Sequence, residues 1–193
     1  MNKKIIGFLL ALVMVSVSAM AFATAVPSKT TQDMVKPVGV TVQAGASTAV
    51  QVSTPNDEAA TTFASKVLGE ISSYVQQQTG SVINYFDQGV QEQVAALLPA
   101  GTDVNTISMN EFTTIKIDGY SEENGDLTAS FEFATKYEDG QAIVAMVGVE
   151  VDGTMTWTAL KAEVVDGIVK ITFPEAVVKL MQTGNAVLSI LSV

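Results

Sequence analysis

Three Asp-Gly pairs at almost even spacing constrain the fold of this chain more than any other feature. They are Asp139-Gly140, Asp152-Gly153 and Asp166-Gly167. The pair favours tight β-hairpin turns, because both residues tolerate the left-handed backbone conformation that such turns require. The intervening stretches are apolar and rich in β-branched residues. Residues 127–173 are therefore predicted to form antiparallel strands joined by short turns.

The order of apolar residues distinguishes two kinds of strand. From 127 to 137 apolar and polar residues alternate, which is typical of an antiparallel strand with one solvent-exposed face. Its apolar face comprises Leu127, Ala129, Phe131, Phe133 and Tyr137. From 141 to 151 apolar residues occupy both faces, which predicts a central strand covered on both sides. Further strands are predicted at 112–118, 155–165, 168–173 and 187–191.

Three helices are predicted around these strands. The first is expected to begin at Pro55 with Thr54 as its N-cap, because proline is favoured at the first helical position. The second is expected from 81 to 98, and the third from Pro174 to a cap at Gly184. The predicted fold class is α+β. It consists of an N-terminal helical hairpin packed on an antiparallel β-meander of about five to six strands, with one further helix near the C-terminus.

The first residues have the pattern of a secretory signal peptide. Lys3 and Lys4 precede an apolar run from 5 to 19, and small residues around Ala23 fit a cleavage site. The run is shorter than the roughly 20 apolar residues of a transmembrane helix. We therefore expect residues 1–23 to be removed on export. The predicted product is secreted or extracellular, free or associated with the cell envelope, with no stable membrane insertion after cleavage.

Residues 24–54 allow two interpretations. Their small and polar composition, interrupted by prolines, is typical of a linker. The alternation of valine with polar residues at 38–42 and 50–52 also fits a β-hairpin. Residues 55–193 are long enough to form a single α+β domain with its own core, without disulfides.

The composition excludes several classes of function. The chain contains no Arg, His or Cys. It therefore lacks the residues of a Ser-His-Asp triad, a Cys-His pair or an ordinary zinc site. Without residues 1–23, 8 lysines and 20 acidic residues give a net charge of −12. Nucleic acid binding is excluded, because it depends on neutralising phosphates with cations. No cofactor is expected.

Carboxylates are the remaining groups with catalytic or metal-binding potential. Those on or near predicted strands are Glu132, Asp139, Glu150 and Asp152. A close pair could hydrolyse a glycosidic bond, but the turn geometry already explains each Asp that precedes Gly. The acidic loop 118–126 could supply oxygen ligands to calcium, although it lacks the EF-hand spacing. We expect no enzyme activity and no metal site.

Three aromatic residues are the candidate ligand-binding residues. Tyr120, Tyr137 and Trp157 could form an exposed platform for a sugar or a peptide beside the meander. Trp157 is the only tryptophan. A role in the core is the competing interpretation, because a single tryptophan in a small domain is usually largely buried.

Four stretches of the later half carry a resemblance to a known group of proteins. They are Tyr137-Glu138-Asp139-Gly140-Gln141, Val164-Val165-Asp166-Gly167, Ile171-Thr172-Phe173-Pro174 and Gly184-Asn185-Ala186-Val187-Leu188. Over residues 60–193 the chain resembles small exported proteins of unknown function from Gram-positive gut bacteria. The resemblance implies no catalytic residues.

The sequence therefore predicts an exported, non-catalytic bacterial domain that interacts with a protein or with a cell-envelope component. Two alternatives remain open. One is a small-ligand or carbohydrate-binding module that uses exposed aromatic residues. The other is a carboxylate-based hydrolase.

Overall fold

A computed structural model describes residues 26–31, 34–42, 49–78 and 80–193. The predicted signal peptide lies outside these residues. The chain folds as α+β, with an antiparallel sheet and α-helices on its surface. The strands are β1 (Lys36–Thr41), β2 (Gln51–Ser53), β3 (Ser108–Asp118), β4 (Leu127–Glu132), β5 (Ile143–Val151), β6 (Thr154–Val165), β7 (Ile168–Phe173) and β8 (Asn185–Ser192). The helices are α1 (Glu58–Gln78), α2 (Gln88–Leu97) and α3 (Glu175–Met181).

The eight strands within the described residues form one antiparallel sheet, in the order β1-β4-β7-β6-β5-β8-β3-β2. The predicted five to six strands are therefore too few. Consecutive strands pair at β2–β3, β5–β6 and β6–β7, so the meander of β5, β6 and β7 covers a part of the sheet. The edge strands β1 and β2 approach each other, and the sheet is curled into a nearly closed barrel. The Thr54 hydroxyl donates a hydrogen bond of 3.4 Å to the Val35 carbonyl oxygen between these edges.

Segment 24–54 contributes both edge strands. β1 pairs with β4 and β2 pairs with β3, so the two strands lie at opposite edges of the sheet. They are consecutive in the described part of the chain but do not pair with each other as a hairpin.

The three Asp-Gly pairs adopt two different structures. Asp152-Gly153 and Asp166-Gly167 have positive φ at both residues and form the β5–β6 and β6–β7 hairpins, as predicted. At Asp139-Gly140 only the glycine has a positive φ, of 78°. The predicted hairpin there is wrong, because β4 pairs with β1 and β7 instead of β5. The Asp139 carboxylate accepts a hydrogen bond from the Gly167 N–H at 3.2 Å, which connects this turn to the β6–β7 hairpin.

The helices differ from the prediction at their ends. Asp57, not Thr54, caps α1, and its carboxylate accepts the Ala60 N–H at 3.1 Å. The predicted second helix is divided. Val82–Tyr85 forms a 3-10 turn, Phe86 is extended, and α2 then begins behind a cap at Asp87.

The predicted helical hairpin is also not observed, because the two helices pack on different strands. α1 packs on β3 and β8, whereas α2 packs on β6. The α2 residue Gln93 accepts a hydrogen bond from the Ala159 N–H of β6 at 3.2 Å.

Apolar side chains form two clusters on the two faces of the sheet. The inner cluster is enclosed by the curled sheet and includes Phe131, Phe173 and Leu188, with α3 residues packed against it. The outer cluster lies between the sheet and helices α1 and α2. Ile143, Ala145, Val147 and Val149 of β5 belong to the inner cluster, and Val144 and Met146 belong to the outer cluster. This confirms the predicted central strand with both faces covered.

Among the described residues, no helix is both long enough and apolar enough to cross a membrane.

Candidate functional site

The structure separates the three aromatic residues that the sequence singled out. Tyr120 and Tyr137 are buried in the inner cluster, with 9% and 4% of their surface exposed. Trp157 lies on β6, is only partly buried, and packs against the outer cluster. The three residues therefore do not form one platform.

Tyr120 closes the acidic loop. Its hydroxyl donates a hydrogen bond of 2.8 Å to the Gly125 carbonyl oxygen at the other end of the loop. Burial raises the pKa of Tyr120, and the negative charge of Glu175 raises it further. The residue is thus a neutral donor that stabilises the loop.

Tyr137 is buried and lies within the electrostatic influence of Glu111 of β3. Burial raises the pKa of Tyr137 far above its usual range, and the charge of Glu111 adds to this effect. The Glu111 side chain is 2% exposed, and its Oε1 accepts the Thr135 N–H at 3.3 Å. Within the described chain, Glu111 Oε2 and the Tyr137 hydroxyl have no hydrogen-bond partner. The Asn110 and Thr135 side chains lie near the hydroxyl without forming a regular hydrogen bond.

A row of aromatic rings runs from α1 to β6. Trp157 contacts Phe86 with ring centroids 5.1 Å apart and Tyr85 with centroids 6.3 Å apart. Tyr85 contacts Tyr74 of α1 at 5.7 Å, with the two rings at 77°. These edge-to-face contacts are a favoured arrangement of aromatic rings. Tyr74, Tyr85, Phe86 and Trp157 are named the aromatic row.

The break before α2 brings the aromatic row together. Phe86 is extended, with φ −83° and ψ 153°, so the chain leaves the helical path after the 3-10 turn that ends at Tyr85, and both Tyr85 and Phe86 contact Trp157. Gly148 of β5 lies opposite Trp157 in the sheet. A Cβ at Gly148 would lie 2.7 Å from the indole ring, so the glycine leaves the space that the ring occupies.

One side of the aromatic row borders an open groove of about 550 Å³. We name it the aromatic groove. It is lined by Lys66, Gly69, Glu70, Ser73, Tyr74, Gln77 and Tyr85. All but Tyr85 lie on one face of α1, at intervals of one helical turn. Both tyrosines are partly exposed, and the remaining lining residues are exposed. A Cβ on Gly69 would contact no atom within 4 Å, so this glycine leaves the middle of the groove open.

The charges around the groove are unevenly paired. Lys66 Nζ lies 3.5 Å from Glu150 Oε1 of β5. Glu70 forms no ion pair within the described part of the chain. Burial raises the pKa of Tyr85, the charge of Glu70 raises it further, and the contact with Trp157 opposes the shift. The groove therefore combines a neutral tyrosine hydroxyl with a free carboxylate.

Sequence signals for this groove are weak. Tyr74 follows Phe63, Val67 and Ile71 at helical spacing, which is typical of a core face, and Gln77 lies in a run of three glutamines that is typical of a solvated surface. The useful signal was Asp87, whose capping chemistry favours a helix start and hence a break beside Tyr85 and Phe86.

A second cleft, of about 520 Å³, lies between the start of α1, β3 and the connection from α3 to β8. Its charged groups are engaged in the fold. Lys116 Nζ pairs with Asp118 Oδ1 at 2.8 Å, and Asp57 caps α1. Gly184 also lines the cleft, and a Cβ there would overlap the Glu150 carbonyl oxygen. Gly184 is thus required for close packing, and the C-cap of α3 is Gln182 instead of the predicted Gly184.

The acidic loop 118–126 is tied to α3. Lys179 Nζ contacts Glu122 Oε1 at 2.7 Å and Glu175 Oε1 at 2.6 Å. These contacts raise the pKa of Lys179, and the hydrogen bond from Lys179 lowers the pKa of Glu122. Asp126 accepts the Glu175 N–H at 3.0 Å. The described residues contain no cluster of three or more acidic, His or Cys side chains that could hold a metal ion.

The carboxylates considered for hydrolysis lie in different ion pairs and turns of the fold. Glu132 lies 3.8 Å from Lys136, and Glu150 pairs with Lys66. Asp152 has a φ of 51° in its hairpin.

Comparison with protein-family models, with curated proteins and with solved structures finds no match to this chain.

Proposed function

We propose that this protein is an exported, non-catalytic binding domain that holds a carbohydrate of the cell envelope in the aromatic groove. The observation that carries the proposal is the pair of partly exposed rings, Tyr74 and Tyr85, set nearly perpendicular in a groove with polar walls. Sugars present apolar C–H faces that pack on aromatic rings, and hydroxyls that bond to polar groups. Ser73, Gln77 and Glu70 supply such groups along the groove.

The packing behind the groove favours binding over a purely structural role. Tyr85 contacts three other aromatic rings, and these contacts hold it in place before any ligand arrives. A preorganised ring loses little side-chain entropy on binding. The apolar face of α1 is buried in the outer cluster from Phe63 to Ile71, whereas Tyr74 is partly exposed and lines the groove.

The groove supports binding without catalysis. Glycoside hydrolysis ordinarily requires two carboxyl groups, one on each side of the scissile bond. Among the described residues, Glu70 is the single carboxylate that lines the groove, and the nearby Glu150 is paired with Lys66.

Export and placement at the envelope rest on the N-terminal sequence. The basic residues, apolar run and small residues of 1–25 favour secretion, and the net charge of −12 keeps the mature chain away from anionic polymers. Interaction with a protein partner is the second candidate, because the exposed polar face of α1 also suits a macromolecular contact.

Fluorescence of Trp157 tests the proposal, because it is the only tryptophan and touches Tyr85. Acrylamide quenching of residues 24–193 is measured with and without a panel of envelope glycans. We expect a glycan to reduce the quenching or shift the emission of Trp157. Gly69→Leu, which fills the groove, is expected to abolish the response, and Gly69→Ala is the matched control. A panel that leaves emission and quenching unchanged would contradict the proposal.

A further inference from the structure

We infer that the aromatic groove recognises an ammonium group carried by its ligand, as in an amino sugar or a choline-substituted glycan. The inference rests on the proposed function and specifies the chemistry of the ligand at the same site. It depends on three features of the groove: the arrangement of its rings, the free carboxylate of Glu70 and the engagement of Lys66.

The rings present the surface that attracts a cation. An aromatic ring carries negative charge density on its face, and cations bind within about 6 Å of the ring centre. Tyr74 and Tyr85 are 5.7 Å apart and inclined at 77°, so they form two walls of a corner rather than a flat floor. Two inclined rings contact a compact group such as an ammonium from two sides, while either ring can still pack against the C–H face of the sugar that carries it.

The charges point to the same kind of ligand. Glu70 lines the groove next to Tyr85, close enough that its charge raises the pKa of the tyrosine. Its carboxylate has no ion-pair partner among the described residues. Lys66, at the rim, is held 3.5 Å from Glu150. The three charged groups therefore leave one net negative charge for a cationic ligand.

The net charge of the whole protein also favours a cationic ligand. The mature chain carries a net charge of −12 and contains no arginine. A cation is thus attracted from solution and an anion is repelled. Each cation contact with a partly exposed ring strengthens binding by roughly twofold to thirtyfold. We expect an ammonium ligand to bind at least about fivefold more tightly than a neutral ligand of the same shape.

The first experiment compares choline with its neutral carbon isostere, in which a tert-butyl group replaces the trimethylammonium. Trp157 emission of residues 24–193 is titrated with each compound at constant ionic strength. Tighter binding of choline supports the inference. Equal binding of the two compounds overturns it, because the isostere retains the shape and the apolar surface.

A second arm distinguishes the two sources of the ammonium and separates the inference from the proposed function. The probes are glucosamine, glucose and glucuronate. We expect the affinity to fall in that order, and the ratio between choline and glucosamine shows which source the groove prefers. If glucose or glucuronate binds at least as well as glucosamine, the groove is a sugar site without ammonium recognition and the inference fails alone. If none of the probes or glycans binds, the proposed function fails as well.

Two variants that change the net charge equally test whether Glu70 itself causes the preference for an ammonium group. Glu70→Gln removes the free carboxylate and is expected to reduce choline affinity at least about threefold, which brings it towards the affinity of the neutral isostere. Glu123→Gln changes the net charge equally at an exposed position in the loop 118–126 and is expected to have no effect. An equal loss in both variants would assign the preference to the overall charge and contradict a role for Glu70.

Discussion

Helices α1 and α2 cover one half of the outer face of the sheet, and the other half is exposed to solvent. On β3, β5 and β8 the outward residues lie under the helices and are buried, as with Phe112, Val144 and Val187. On β4 and β7 the outward residues are polar and reach solvent, as with Ser130 and Lys170. Both halves share one inner cluster. The half that carries the helices also carries the aromatic row, so the covering that stabilises the sheet also forms the groove.

Strand β6 joins the two halves. Its first part, 154–161, pairs with β5, and its last part, 162–165, pairs with β7. Trp157 lies in the first part, where the turn before α2 covers it only partly. The candidate site is therefore found at the margin of the covered half, where aromatic rings needed for packing still reach the surface.

The contrast predicts a large difference between two Asp substitutions. Val144→Asp places a charge under the helices and is expected to lower the free energy of unfolding by about 4 kcal/mol or more. Ser130→Asp lies on the open half, opposite Lys170 in the neighbouring strand, and is expected to change it by less than about 0.5 kcal/mol. Urea denaturation measures the free energy of unfolding of both variants. Similar losses in the two variants would show that the helices do not divide the sheet.

Gly148→Ala tests the packing of the covered half around Trp157. The added methyl would lie 2.7 Å from both the indole ring and the Met155 methyl group, so we expect a loss of about 1–3 kcal/mol. Because the ring must move, the emission maximum of Trp157 should shift. Gly69→Ala is the control, since it meets open space and is expected to stabilise α1 by up to about 1 kcal/mol. Retention of full stability by Gly148→Ala would contradict the packing described here.

Two buried tyrosines of the shared inner cluster are expected to respond differently. Tyr120→Phe removes the hydrogen bond to Gly125 and is expected to cost about 0.5–1.5 kcal/mol. Tyr137→Phe removes a buried hydroxyl without a partner and is expected to be neutral or stabilising. Thermal denaturation of the two variants gives the comparison. A loss above about 1 kcal/mol for Tyr137→Phe would show that its hydroxyl bonds to Glu111, Asn110 or Thr135.

The smallest effect is expected on the open half, at Glu163 of β6. Lys161 Nζ lies 2.6 Å from Glu163 Oε1, and this hydrogen bond lowers the pKa of the carboxyl group. Because the pKa of Glu163 is lower in the folded than in the unfolded state, its interaction with Lys161 stabilises the fold at pH values above the unfolded pKa of about 4.3. This stabilisation is lost as the pH falls through the folded pKa. NMR titration of the carboxyl carbon measures the pKa. We expect Lys161→Gln to return it towards the ordinary value, and no change in this variant would rule out the ion pair.

Local chemistry made several elements predictable. The hairpins at 152–153 and 166–167, strand β7 and the doubly covered β5 follow from turn residues and apolar patterns that lie close together in the sequence. The partner of β4 was not predictable in this way. Asp139-Gly140 has the same turn chemistry, but β4 is placed between β1 and β7, where its apolar face is buried and its polar face stays wet.

The candidate site was less predictable than the fold. The local sequence does not show which of Tyr120, Tyr137 and Trp157 is exposed. In the structure Tyr120 and Tyr137 are buried, whereas Trp157 is partly exposed. Tyr74 lies on a helical stripe that indicates a core position, and its exposure depends on where α1 ends its contact with the sheet.

The strand-forming segments, two of the tight hairpins and the α+β class follow from the amino-acid order, because they depend on backbone preferences and on the spacing of apolar residues. The order of the strands, the position of β1 and β2 at opposite edges and the contacts that join Tyr74, Tyr85 and Trp157 arise only when the whole chain packs together. Each of these joins residues far apart in the chain. Such contacts are selected by the burial of whole faces against one another, which no short stretch of sequence specifies.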